Sequence, residues 1–344
     1  MNPAIITGSF RSGTSAITRL IQSLGVDVGS NLLPGYVGNV HGHFEEVAFL
    51  EFHDRLIDRY FPKRAPFCEW LPLADATITY TDEDRAEAQK IWDAHKAAGG
   101  TAWKDPRTSL FLDLWTEIIP DAQVVICLRH PYQVHQSLLR RGEAFMHVDY
   151  SSAIVGWTIY NERILKTLAT LPLDRFLVVE VGAAFRQPRE LAEALSQFLE
   201  RPSVESAVNA IEADEFHFED DIRYALDHFE EFLPQAGSVF RQLKQYDQFN
   251  PISPTAASEK VPPIKSLEAR LIEFEEQYGL RARARKMLIR SVSVDRQRTS
   301  DLYQKLLTAA NERNALIDDL SRLNDTLKRR VHELTGATDA DSIS

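Results

Sequence analysis

Short apolar runs alternate with segments in which hydrophobic residues recur every third or fourth position. The runs Ala4–Thr7, Thr101–Lys104, Gln123–Leu128 and Phe176–Val181 read as buried strands. The spacing predicts helices over Gly13–Leu24, Asp82–Ala97, Thr108–Ile118, Pro131–Arg140, Ser151–Leu171 and Pro188–Leu199. Continuous apolar strands that alternate with helices imply a parallel sheet with helices on both faces. Ligands of such sheets bind beyond the carboxyl ends of the strands. Thr7–Arg11, Lys104–Arg107 and Arg129–Pro131 all fall at such ends.

The pattern changes after residue 250. Residues 251–265 are rich in Pro and Ser and read as a linker. Residues 266–335 read as helical, and Leu302, Leu306, Ala309, Arg313, Leu316, Leu320, Leu323, Leu327, Arg330 and Leu334 advance in steps of four and three. That is a heptad seam over 302–334, which reads either as a coiled coil joining a homodimer or as a long helix packed back on its own domain. Residues 336–344 are polar and read as a disordered tail. The expected organisation is a catalytic α/β domain over 1–250 followed by the linker, the helical extension and the tail.

The loop after the first strand carries the strongest chemical signal. Gly8-Ser9-Phe10-Arg11-Ser12-Gly13-Thr14-Ser15 has the glycine spacing of a P-loop, but Thr14 stands where a P-loop has lysine, and Arg11 sits inside the loop. A strand, a glycine-bounded loop and a helix start aim unpaired N–H groups and the positive end of the helix dipole at one spot. The loop is suited to a phosphate but lacks the lysine that phosphoryl-transfer enzymes use. A second anion site is expected where the run Val124–Leu128 delivers Arg129. Pro131 then opens a helix that carries Ser137. A guanidinium fork and a hydroxyl are suited to a second phosphate. Two separate sites imply a nucleotide phosphorylated at two places.

The 344 residues carry a formal net charge of −11, with 44% hydrophobic and 26% charged residues. The acidic excess lies in the first 250 residues; the rest is slightly basic. This balance argues against general nucleic-acid binding and requires that an anionic ligand be held by a few placed cations. Cys68 and Cys127 make neither a disulfide framework nor a metal-ligand spacing, and Cys127 lies inside an apolar run. The first strand begins almost at Met1, and no apolar stretch has membrane length. These features lead to the expectation of a cytoplasmic protein without a transmembrane segment. The basic cluster Arg281–Arg290 reads as a surface helix, with contact to a polyanion as the alternative.

The two anion motifs resemble those of sulfotransferases that use 3′-phosphoadenosine 5′-phosphosulfate (PAPS). Gly8–Ser15 looks like their 5′-phosphosulfate loop, and Arg129 with Ser137, in Leu128-Arg129-His130-Pro131, looks like their 3′-phosphate motif. Gly42-His43-Phe44-Glu45-Glu46, Trp103-Lys104-Asp105-Pro106-Arg107 and Trp157-Thr158-Ile159-Tyr160-Asn161 are similar to segments of the bacterial and carbohydrate-type members. The resemblance covers residues 4–200. It departs where members carry Tyr-Glu-Asp-Leu and this chain has Glu180-Val181-Gly182-Ala183, and no Arg-Lys-Gly loop is visible near the end of the catalytic part. The resemblance implies an α/β, P-loop-like fold and in-line sulfonyl transfer from PAPS, with no metal required. The acceptor it implies is a hydroxyl on a carbohydrate, glycolipid or metabolite. It assigns the nucleotide to Arg11, Ser12, Gly13, Thr14, Ser15, Arg129 and Ser137, and the chemistry to Glu45, Arg11 and Lys104. Glu45 is the expected base, with Glu46, His41 and His43 as alternatives. Lys104 is expected either to face the leaving phosphate or to pair with Asp105, and Asp105 and Arg107 either to orient the base or to pair with each other. His130 reads as a helix cap or packing residue. Two other readings remain at this stage: a P-loop small-molecule kinase using Glu180 at a strand end, and a non-catalytic adaptor built on a nucleotide fold.

Overall fold

The computed structural model describes residues 2–33, 43–65, 68–141, 150–201, 208 and 233–249, all within the compact unit Met1–Arg285. His41, the linker, the heptad region, the cluster Arg281–Arg290 and the tail lie outside the described residues.

The four runs read as strands form one parallel sheet. Strands β1 (Ala4–Thr7), β4 (Ala102–Lys104), β5 (Gln123–Leu128) and β6 (Phe176–Glu180) lie in the order β4-β1-β5-β6. The register sets Ile6 beside Lys104, Thr7 beside Ile126 and Leu128 beside Glu180, so all four strands end on one side. Alternate side chains take opposite faces. Ile5, Trp103, Val124, Ile126 and Val178 join one core cluster, with Phe49, Trp115 and Trp157. Ala4, Ile6, Val125, Cys127 and Val179 join the other, against Ile17, Ile21 and Leu195. Helices α1 (Thr14–Ser23) and α8 (Pro188–Phe198) supply that second face.

The chain leaves β1 toward β4 and leaves β5 toward β6, in opposite directions across the sheet. Neighbouring strands whose connections diverge open a crevice between their carboxyl ends. Here that crevice lies between the loop 8–13 and the turn 129–130.

Several parts of the fold were not among the expected elements, the short α7 (Val181–Ala184) and α9 (Pro234–Lys244) among them. Helix α2 (Val47–Tyr60) buries Phe49, Phe52, His53, Leu56 and Ile57, a helical spacing over its whole length. A hairpin follows, β2 (Arg64–Ala65) and β3 (Cys68–Pro72). The span expected as one helix over Thr108–Ile118 is a 3₁₀ turn, Pro106–Phe111, leading into α4 (Leu112–Ile118). The turn starts early because Asp105 caps it from the strand end, accepting from the Arg107 N–H, and Pro106 fits the first position. The remaining helices are α3 (Asp82–Ala97), α5 (Pro131–Arg141), α6 (Tyr150–Leu168), the short α7 (Val181–Ala184) and α9 (Pro234–Lys244). Helix α9 packs on α6.

Gly8 fixes the exit from β1. Its φ is 152°, and a Cβ there would stand 2.2 Å from the Cys127 carbonyl oxygen of β5. Only a residue without a side chain lets the loop cross the neighbouring strand so closely. Gly8→Ala is expected to destabilise the protein by about 3 kcal/mol or more, read as a lowered urea midpoint or melting temperature.

Candidate active site

The loop over the crevice is held from below. Thr7 Oγ1 donates to the Asp105 carbonyl at 2.9 Å, and Gly8 N–H donates to Ser109 Oγ at 3.1 Å. Ser9 Oγ and Ser12 Oγ are 2.6 Å apart, and Ser12 N–H donates to the Ser9 carbonyl at 3.2 Å. Ser12 thus bonds within the loop through both its hydroxyl and its N–H. Arg11 has φ 61° and Gly13 φ 81°. Gly13 caps α1 without a side chain across the helix start, which leaves the first turn, at Thr14 and Ser15, without a capping side chain, as helix ends suited to anions are.

The two motifs expected to hold separate phosphates meet here. Arg11 Nε donates to Ser137 Oγ at 3.2 Å. Arg129 Nη1 donates to the Arg11 carbonyl at 3.2 Å. The turn that carries Arg129 is itself braced. Trp157 Nε1 of α6 donates to the Arg129 carbonyl at 3.1 Å. His130 Nδ1 accepts from Tyr132 N–H at 3.2 Å, which closes the start of α5, and its ring meets Phe240 of α9 edge-on at 4.8 Å. Burial pushes the His130 imidazole down to about 3, so it stays neutral, in keeping with capping and packing.

Lys104 ends β4 with only 2% of its surface exposed. Its Nζ donates to Glu45 Oε1 at 2.8 Å, to the His43 carbonyl at 2.8 Å and to Ser15 Oγ at 3.3 Å. Its ionic partner is thus Glu45 and not Asp105. The backbone at Glu45 and Glu46 is extended and pairs with Leu32, so successive side chains diverge. Glu45 turns to Lys104, and Glu46 turns the other way to accept from Asn31 N–H at 3.3 Å.

Behind Glu45 lies a second layer. Arg107 Nη1 is 3.5 Å from Glu45 Oε2 and 3.1 Å from Asp105 Oδ1, and its Nε is 2.7 Å from Asp54 Oδ1. Asp105 is fully buried and accepts from His53 Nδ1 at 2.8 Å. Burial alone would raise the Asp105 carboxyl, but the Arg107 guanidinium and the His53 hydrogen bond hold it well below the usual carboxylate range. Trp115 Nε1, which can only donate, lies 2.7 Å from His53 Nε2. His53 therefore carries its proton on Nδ1 and gives it to Asp105. Glu180, considered as a strand-end acid, is engaged otherwise: its oxygens accept from Gly182 N–H, Ala183 N–H and Lys244 Nζ.

His53, Asp54 and Trp115 escaped the sequence reading. The signal for α2 was present in Phe49, Phe52, Leu56 and Ile57, and that helix brings both His53 and Asp54 to Asp105 and Arg107.

A parallel α/β sheet that sends β1 through an arginine-bearing glycine loop into α1, beside Arg129 just after β5, frames this site. A profile described as "Sulfotransferase family" matches residues 3–205, and the chain belongs to that family. Among solved structures, it is similar to the sulfotransferase STF9 from Mycobacterium avium at 13% identity and TM-score 0.41, over 68% of this chain and 76% of the other. The sulfotransferase domain of the Synechococcus PCC 7002 olefin synthase is 21% identical with TM-score 0.36, over 81% and 95%. The sulfotransferase domain of the curacin biosynthetic pathway is 16% identical with TM-score 0.41, over 81% and 98%. No curated protein sequence matches. Among the described residues, no helix is long and apolar enough to cross a membrane.

Burial holds His130 at about 3, and the unfolded chain returns it toward 6.5. Below 6.5 the unfolded state binds the extra proton, so this histidine lowers stability as pH falls toward 3. His130→Asn keeps an acceptor for Tyr132 N–H and removes the titration. Its stability, from urea midpoints at pH 4 to 6, is expected to fall less steeply than the parent's by about 1.4 kcal/mol per pH unit.

Proposed function

We propose that the protein moves a sulfonyl group from PAPS to an acceptor hydroxyl, on a carbohydrate or glycoconjugate in the first instance and on a lipid or other metabolite in the second. Family membership supports sulfonyl transfer. The observation that supports this donor is the 3.2 Å contact between Arg11 and Ser137. It joins the two motifs in one crevice, as a ligand with phosphates on the 3′ and 5′ oxygens of one ribose requires. The residues present fit that ligand: a helix start with no capping side chain, the guanidinium groups of Arg11 and Arg129, and the hydroxyls of Ser15 and Ser137.

PAPS supplies an activated sulfate whose departing phosphate gains negative charge as the bond to sulfur breaks. In this reading Arg11 and the N–H groups of Gly13, Thr14 and Ser15 hold that phosphate. Charge-matched donors already in place stabilise the transition state more than the ground state. Arg129 and Ser137 hold the second phosphate and so fix the register of the nucleotide. Lys104, 3.3 Å from Ser15 Oγ, brings a further cation to the same helix end. Glu45, 2.8 Å from Lys104, receives the proton from the acceptor hydroxyl. The carbohydrate preference rests on the sequence resemblance.

A thermal-shift experiment tests the donor. Adenosine 3′,5′-bisphosphate without metal is expected to raise the melting temperature, because it binds only the folded state, whereas ATP with magnesium is expected to raise it less. The opposite order would replace this reading with phosphoryl transfer. Arg11→Ala and Ser137→Ala are each expected to weaken bisphosphate binding by about tenfold. Glu45→Gln is expected to leave binding unchanged and to lower turnover by about a hundredfold; normal turnover would remove Glu45 as the base.

A further inference from the structure

The network behind Glu45 does more than fill space. Glu45 Oε1 is committed to Lys104 at 2.8 Å, while Arg107 Nη1 stops 3.5 Å from Oε2. That separation leaves Oε2 short of a full hydrogen bond and able to accept a proton. What holds Arg107 back is visible on its other side. Asp105 takes the same Nη1 at 3.1 Å and the Arg107 N–H at 2.9 Å. Asp54 lies 2.7 Å from Nε. Asp105 in turn cannot swing, because His53 donates to its other oxygen at 2.8 Å and Trp115 fixes the tautomer of His53. His53, Asp105 and Trp115 are all fully buried. A buried polar chain of this kind costs desolvation, and apolar residues of similar size would stabilise a core at least as well.

We propose that Asp105, locked by His53, is a positioning residue that restrains Arg107 and so preserves Glu45 Oε2 as the proton acceptor. This rests on the reading of Glu45 as base. Among the described residues, the charged groups facing Glu45 are Lys104 from β4 and Arg107 from the 3₁₀ turn, and Lys104 in turn bonds Ser15 of α1 and the His43 carbonyl. Asp54 and Asp105 act through Arg107. Removing the Asp105 charge leaves only Asp54 to offset Arg107 beside Glu45, so Arg107 and Lys104 bear more strongly on Glu45. Glu45 then holds a proton less readily, and the base is weakened.

The probe reaction is release of adenosine 3′,5′-bisphosphate from PAPS, with water or methyl β-D-galactoside as acceptor. The acceptor oxygen bonds to sulfur, the bond from sulfur to the bridging oxygen breaks, that oxygen leaves on the 5′-phosphate, and the acceptor proton goes to Glu45. Asp105→Asn is expected to lower kcat at least tenfold, to leave the dissociation constant for the bisphosphate within twofold, and to move the acid limb of the kcat profile to lower pH. In a Glu45→Gln background the same change is expected to cost nothing further. His53→Asn, which keeps a donor where Nδ1 stands, is expected to retain the parental profile, whereas His53→Leu loses rate as Asp105→Asn does. A readout independent of turnover is the ¹³C carboxyl resonance of Glu45, assigned by its loss in Glu45→Gln. Its chemical shift at fixed pH is expected to move in Asp105→Asn relative to the parent. An unmoved resonance and unmoved acid limb, or an equal loss of rate in the Glu45→Gln background, would overturn the positioning role. If Glu45→Gln turns over normally while the resonance does move, the base assignment fails and the restraint of Arg107 stands.

Discussion

The pairing of β1 with β5 governs the site. Two parallel strands lie side by side, and their chains leave in opposite directions. The loop from β1 must cross the last turn of β5, and the only backbone that can do so is one without a Cβ at Gly8. That crossing brings Arg11 against Ser137, two turns into α5, and puts the Arg11 carbonyl within reach of Arg129. Motifs far apart in sequence become one surface because the sheet permits a single route for the chain. Their meeting is thus a property of strand order before it is a property of any one side chain.

The electrostatics follow from the same economy. The chain carries a net charge of −11, so a doubly phosphorylated ligand meets no general attraction at long range. Selectivity must come from cations held at short range and partly dried, where each interaction is stronger than in water. Lys104 is such a group, buried beside Glu45; Arg107, mostly buried behind Glu45, is offset in the same way by Asp54 and Asp105. The result is a site whose charges are fixed by one another and need little rearrangement when a ligand arrives.

Much of this was legible in the sequence. Uninterrupted apolar runs located the four strands of the sheet because burial on both faces leaves no polar residues to confuse the period. The glycines of the loop and the Arg129–Pro131 turn declared themselves through residue types that few other contexts require. The histidine and aspartate of α2 did not. His53 sits on an otherwise apolar helix face, a position where its partner, Asp105, cannot be inferred from spacing, since the contact is set by how α2 crosses the end of β4. The same holds for the direction of Glu45 against Glu46, which depends on a left-handed turn at Phe44, φ 56°, and on pairing with Leu32. The helical seam over 302–334 and the basic cluster Arg281–Arg290 lie outside the described residues.

Helix α9 lies beyond the stretch shared with the family, which stops at residue 205, yet it is built into the fold. Phe240 covers His130, Lys244 neutralises Glu180, and Asp247 bonds the Glu180 N–H and bridges to Val178 on the outer edge of β6. A boundary drawn from kinship alone would cut away the plug that keeps water off the second arginine's turn and would leave a raw sheet edge open to pairing with another chain. The smallest piece of this protein that can stand on its own is therefore longer than its ancestry suggests.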